Sequence, residues 1–233
     1  MSRTVSPSSG KPYGLALVCR TWRAPRATVY RCRLPSRPEP AGRPGPVGPM
    51  SDTALLAAIR AVDMMWGTDL TTTITGEGQA AVFIAIDHCS AECVGIHAAL
   101  RATRFEALEP IRQGVRQHFG GFAKGLARGL SVRHDHGSQY MSDTFQKELK
   151  FLGIESSPAF VRAPEGNGCA ERFIRTLKEN LLWIRTFDTI EDLRYALLTF
   201  RETYNATWLI ERHGFITPQA FRQKHLQPAA LAA

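Results

Sequence analysis

Three acids in this 233-residue chain sit where a carboxylate needs a compensating partner: Asp69, Asp135 and Glu171. Asp69 lies inside Trp66-Gly67-Thr68-Asp69-Leu70-Thr71, where β-branched neighbours favour a strand and the acid opposes it. Asp135 directly follows the strand-like Leu130-Ser131-Val132-Arg133-His134 and opens into His136-Gly137-Ser138-Gln139-Tyr140. Strand ends that open into loops are where α/β folds place their chemistry. Glu171 lies in the first turns of a long helix, behind the glycine-rich Pro164-Glu165-Gly166-Asn167-Gly168. Oxygen ligands delivered from a strand, a strand end and a helix suit Mg²⁺ or Mn²⁺, hard ions that keep part of their water shell. With two such ions, one activates a water or a 3′-hydroxyl while the other stabilises the leaving oxygen.

The helix can be tested at about 100° per residue. With Glu171 at 0°, Arg175 falls near 40° and Lys178 near −20°, whereas Ala170, Phe173, Ile174, Leu177 and Leu181 fall roughly between 200° and 300°. One face is therefore buried, and the other carries a carboxylate with two cations above it. Two readings follow: a solvated stripe with an i,i+4 pair between Glu171 and Arg175, or a metal ligand beside a phosphate-binding stripe.

The elements that must position these acids can be read from periodicity. Met64–Ile74 is an extended, β-branched run ending in the turn signal Thr75-Gly76-Glu77-Gly78. Ala80–Asp87 is a continuous apolar strand of the kind buried on both faces, and Cys93–Leu100 is a third strand. Arg104–Phe119 has helical periodicity, Leu130–His134 is a short strand, and Ser142–Leu152 is a helix with Ser142 as its N-cap. Ile154–Phe160 is strand-like and Cys169–Ile184 is read as one long helix. Helices over Ile190–Tyr204 and Thr217–Lys224 follow, with Pro218 at the N1 position of the second. Three successive strands and then alternating helix and strand predict an α/β domain with a mixed five-stranded sheet flanked by helices.

Composition narrows the alternatives. An apolar fraction of 44%, a charged fraction of 21%, a formal charge of +8 and a pI near 9.6 describe a globular protein with a polyanionic partner. The surplus is local: residues 1–50 hold nine Arg and Lys against Glu39 alone, leaving twenty of each sign in residues 51–233. Either nucleic-acid contact or a solvated tail accounts for such an arm. Nine of the fourteen prolines also lie in residues 1–50, and Pro35 to Pro49 reads as an extended linker. Before it, Leu15–Trp22 and the basic stretch Arg26–Arg33 flank a break at Pro25, an outline shared by helix-turn-helix motifs and ordinary helical hairpins.

Five cysteines without a CxxC pair predict a reducing, cytoplasmic setting, and no apolar run approaches a bilayer span. His88, Cys89, Cys93 and His97 lie on two strands and do not have the spacing of a zinc site. Walker loop, GxSxG and HExxH motifs do not occur, and nothing supports a Ser/His or Cys/His triad.

Trp66–Thr71, His134–Tyr140 and Asn167-Gly168-Cys169-Ala170-Glu171-Arg172-Phe173 resemble the three motif blocks of DDE transposases from bacterial insertion sequences, of the downstream-frame type within the retroviral integrase superfamily. The thirty-five residues between Asp135 and Glu171 match that family's interval, and Tyr204-Asn205, Arg212-His213 and Thr217-Pro218 look like its C-terminal signature. The resemblance covers roughly residues 64–224. It implies a ribonuclease-H-like fold and Mg²⁺ or Mn²⁺, as two ions, held by Asp69, Asp135 and Glu171. It further implies cleavage of transposon ends, strand transfer into target DNA, and action as a homo-oligomer on DNA without a membrane. Arg175 and Lys178 match positions of DNA-contacting cations. Asp87, a frequent acid in the family, is read as structural.

The resulting organisation is a partial helix-turn-helix-like DNA-binding segment over 1–34, with Arg26, Arg31 and Arg33 as its DNA contacts. A Pro-rich linker and short helix over 35–62, an integrase-type catalytic core over 63–226 and a tail over 227–233 complete it. Two features depart from the family's pattern. Arg133-His134 replaces the usual His-Ser before the second Asp, and Gly166 stands where an acid often precedes the Asn. His134 and His136 read as solvent-exposed loop histidines, with ligand orientation or phosphate contact as the alternative. Upstream, Ala57–Ala61 runs almost directly into Val62–Trp66 with no helical module between, as in an internally deleted reading frame. The second functional reading is accordingly a truncated, catalytically silent derivative that only binds DNA. A ribonuclease H or resolvase-like nuclease is the third, disfavoured by the Gly-Ser-Gln-Tyr and Thr-Pro blocks.

Overall fold

β2 (Gly78–Asp87) is apolar at nearly every position because both of its faces are covered. Val82, Ile84 and Ile86 enter one core, and Ala81, Phe83 and Ala85 enter another. The computed structural model describes residues 61–159 and 167–226. The segment 1–34 with Arg26, Arg31 and Arg33, the linker up to residue 60, residues 160–166 and the tail 227–233 lie outside the described residues.

Around β2 stand β1 (Met65–Thr75), β3 (Cys93–Ala99), β4 (Ser131–His134) and β5 (Glu155–Pro158), in the order β3-β2-β1-β4-β5. β1 and β3 pair antiparallel to β2, whereas β4 joins β1, and β5 joins β4, in parallel. This is the mixed five-stranded sheet expected from the sequence. The β1–β2 hairpin closes through the Thr75 hydroxyl, which donates to the Gly78 carbonyl at 2.9 Å, and Gly78 takes the positive φ the turn requires.

Helices cover both faces. α1 (Arg104–Phe119) and α2 (Asp143–Leu152) pack Leu108, Ile111, Val115, Phe145 and Leu149 around Trp66 and Phe83. α3 (Gly168–Leu177) and α4 (Ile190–Thr207) pack Phe173, Leu177, Leu193, Leu197 and Tyr204 over the opposite face. Ser142 caps α2 as expected, accepting from the Phe145 amide, and Thr189 and Asp192 form a reciprocal capping box on α4. α5 (Pro218–Leu226) follows a 3-10 turn over Glu211–His213. No helix among the described residues is long and apolar enough to cross a membrane.

α5 is fastened by a buried charge cluster. Arg222 forks onto Asp63 at 2.6 and 2.9 Å, binds Glu92 through Nε, and approaches Asp87 at 3.7 Å. Asp87 is fully buried and accepts from the Ser90 hydroxyl at 2.6 Å and the Ser90 amide at 3.1 Å, a structural role as expected. The C-terminal signature has a mechanical meaning as well. Asn205 pairs with both the amide and the carbonyl of Cys93, at 2.9 and 3.0 Å, while Arg212 donates to the His88 carbonyl and His213 to that of Cys89.

One element differs from expectation. The helix from residue 169 does not run as α-helix to Ile184: it passes into a π segment over Lys178–Leu182, where the Trp183 amide donates to the Lys178 carbonyl at 3.0 Å. The cause is packing. At about 100° per residue Leu182 would lie near 20°, on the same solvent stripe as Glu171. A π turn admits one extra residue and sets later positions back by up to about 100°. Leu182 thereby swings into the core and is only 7% exposed.

Candidate active site

Strand parity decides where the acids point. Trp66 and Val132 are partners across β1–β4 and both enter the core under α1 and α2. Gly67 and Arg133, the next partners, therefore face the other side. Two residues beyond Gly67, Asp69 on β1 shares that α3 side, and Asp135 follows directly on the end of β4. Adjacent strands lie about 4.8 Å apart.

Asp69 and Glu171 line one open cavity of about 530 Å³ together with Leu70, Ile174, Arg175, Lys178, Glu179 and Trp183. Asp69 is partly buried and accepts the Leu70 amide at 2.7 Å. Burial pushes its carboxyl up to about 6, opposed by the Leu70 amide, and the charges of Asp135 and then Glu171 push it further while Lys178 draws it down. The two other carboxylates are thus near enough to act on it electrostatically. Asp135 is exposed and accepts the Gly137 amide at 2.8 Å, which shapes the start of its loop. Glu171 is exposed and makes no hydrogen bond or ion pair among the described residues. Arg175 pairs instead with Glu179 at 2.8 Å, so the i,i+4 pair from Glu171 to Arg175 does not form. Lys178 has no ion pair among the described residues.

The chemistry of the donor set suits a divalent cation: three carboxylates that act on one another with Lys178 as the neighbouring counter-charge, Asp69 being held reluctant to ionise first by its burial and then by the other two. Among the described residues, no three carboxylate, imidazole or thiol groups stand close enough together to enclose an ion. The acids share a field rather than a closed cage.

The supporting residues were less visible from sequence. His134 is not a solvent-exposed loop histidine: it is fully buried, stacked on Tyr140 at 5.6 Å and edge-on to Phe145. Its Nδ1 lies 2.6 Å from the Asp135 carbonyl, which can only accept, so Nδ1 carries the proton and Nε2 accepts from the Ser156 hydroxyl at 2.9 Å. Burial first lowers its pKa, with His136 and Arg133 adding to it, against the backbone hydrogen bond and charge of Asp135. His134 is a positioning residue for the backbone of Asp135, whereas His136 is exposed. The signal available in the sequence was its place at the last position of a four-residue strand, which carries it inward.

Asn167 ties α3 to β1. Its Nδ2 donates to the Thr68 carbonyl at 3.2 Å, one residue before Asp69. Gly67 makes this approach possible, because a Cβ there would stand 2.6 Å from Asn167 Oδ1 and 2.5 Å from His88 Nε2.

Comparison with known proteins agrees with this architecture. The family described as "Integrase core domain" matches residues 152–218. The transposase InsF of insertion sequence IS3A from Escherichia coli K12 is 26% identical over 164 residues, covering 69% of this chain and 54% of that protein. The chain thus spans about half the length of the curated relatives it matches. Among solved structures, the catalytic core of BIV integrase aligns with a TM-score of 0.51 at 19% identity, covering 70% of this chain and 95% of that one. The HTLV-2 integrase catalytic core in complex with magnesium aligns with a TM-score of 0.50 at 16% identity, covering 70% and 97%.

Proposed function

We propose that this chain, which carries a DDE-type transposase/integrase core of the retroviral integrase superfamily, cleaves DNA strands and joins them in transposition of an insertion sequence. What supports this reading is that Asp69 and Glu171 line one cavity with Lys178 and Arg175, and that the charges of Asp135 and Glu171 both act on Asp69. Asp69, Asp135 and Glu171 would hold Mg²⁺ or Mn²⁺, as two ions. When bound, such ions supply charge neutralisation at the phosphate and a nucleophile of lowered pKa.

The residues of this chain do the positioning. Lys178 meets the phosphate backbone near the carboxylates, and Arg175 joins it by exchanging its Glu179 partner for a phosphate oxygen. Asn167 holds the Glu171 helix against the strand of Asp69, and His134 holds the backbone of Asp135. In-line displacement at phosphorus requires little else of a protein than placement and charge. The DNA substrates are transposon ends and a target, Arg26, Arg31 and Arg33 add backbone contacts from the N-terminal segment, and the working form is a homo-oligomer assembled on DNA in the cytoplasm.

The test is nicking of supercoiled plasmid by the purified full chain with Mg²⁺ or Mn²⁺, beside Asp135→Asn. Metal-dependent nicking by the wild type and its loss in the variant support the proposal. DNA binding by a folded wild type with no nicking under either metal would sink it and leave the silent, DNA-binding derivative.

A further inference from the structure

We propose that Trp183 is a stacking platform for an unpaired DNA base, set onto the carboxylate face by the π turn that precedes it. The inference rests on the DNA-strand reading above and adds to it a specific contact.

In an uninterrupted α-helix Trp183 would lie about 120° from Glu171, away from the cavity. The extra residue of the π turn over Lys178–Leu182 sets it back by about 100°, to within roughly 20° of the Glu171 stripe. The cavity confirms the outcome geometrically: Trp183 lines it with Asp69, Glu171, Arg175 and Lys178. The same irregularity that buries Leu182 therefore turns an indole toward the acids. That indole is 69% exposed, a large aromatic surface without a covering partner among the described residues.

The chemistry of the surroundings selects the occupant. A purely apolar neighbourhood would suit another protein surface, but this indole shares its cavity with Lys178, which has no ion pair among the described residues, and with Arg175. A cation beside an exposed aromatic face matches a nucleotide, with phosphate on the amine and base on the ring. Any base presents a π face, so such a platform tolerates sequence. The helix from Glu171 to Trp183 spans at most about 18 Å at 1.5 Å per residue. That corresponds to about five base steps at 3.4 Å each, and the side chain leans back toward the helix N-terminus and shortens it. Trp183 is thus placed to hold open a frayed end while the strand reaches the carboxylates.

The experiment is equilibrium binding of the full chain, in metal-free buffer, to two duplexes of equal length, one fully paired and one with a short non-complementary end. Trp183→Ala is expected to bind the frayed duplex about 5- to 100-fold more weakly and the paired one within about twofold, with Trp183→Phe retaining most of the frayed-end affinity. The frayed duplex should also quench indole fluorescence more in the wild type than in Trp183→Phe. Unchanged frayed-end binding in Trp183→Ala would overturn the proposal. Equal weakening on both duplexes would overturn it too, and a loss of self-association on sedimentation without frayed-end selectivity would reassign the indole to contact between copies. Because no metal is present, failure of the nicking test leaves this binding difference readable, and absence of the difference leaves nicking untouched.

Discussion

The Asn167 side chain donates to the carbonyl of Thr68 across 3.2 Å, joining the residue that precedes α3 to the strand position next to Asp69. This bond, and the absence of a side chain at Gly67, let the start of α3 approach β1 beside Asp69.

Asn167→Ala removes the donor from a largely buried site. Nicking should fall about 10- to 100-fold, since misplacing one ligand group is costly, while the folded state loses only about 1–2 kcal/mol. Paired measurements of nicking rate and urea unfolding check this. Full activity with lowered stability would assign Asn167 a purely structural part. Gly67→Ala, which drives a methyl into Asn167 and His88, should lose both activity and stability.

Arg222→Met should cost about 3–5 kcal/mol, because it leaves Asp63, Asp87 and Glu92 without their cation in a buried cluster. Urea denaturation of the full chain measures it. A loss below about 1 kcal/mol would indicate that the carboxyls protonate or reach water once the arginine is gone.

His88 gives a pH signature. Burial first, then Arg133 and Arg212, push its imidazole down from 6.5 to about 4. Its folded value lies below its unfolded one, so the folded state excludes a proton that the unfolded chain takes up. The associated stability is present above pH 6.5 and is lost as pH falls toward about 4. Between pH 7 and pH 4.5 the wild type should lose about 2–3 kcal/mol more than His88→Gln. Parallel pH profiles for the two proteins would contradict this.

Lys178→Ala should weaken DNA binding with little dependence on sequence. It should also reduce the slope of log affinity against log salt by about 1, as expected for loss of one phosphate contact. Binding titrated across a salt series provides both quantities, and an unchanged slope would remove Lys178 from the DNA path.

Much of the architecture was legible in the sequence because it is written in periodicity. The unbroken run Ala80–Asp87 announced a strand covered on both faces, Arg104–Phe119 kept its helical phase throughout, and Ser142 marked its own cap. The burial of His134 was missed because every residue of β4 is buried, polar ones included, so the strand shows no alternation that would mark its last position as interior. The π turn was missed for a related reason. Leu181 and Leu182 are adjacent, and a constant 100° step can bury only the first of them. Such an out-of-phase pair is the local sign of an inserted residue, and it hid the true bearing of Trp183. The Arg222 cluster joins residues 63, 87, 92 and 222, a convergence that no local pattern carries.

The most direct test of the carboxylate site is calorimetric titration of Mn²⁺ into the full chain, the wild type beside Asp69→Asn, Asp135→Asn and Glu171→Gln. The wild type should bind, and each substitution should weaken binding by about tenfold or more, as expected when one ligand of a shared site is lost. Wild-type Mn²⁺ affinity in any of the three variants would contradict a site built from all three acids.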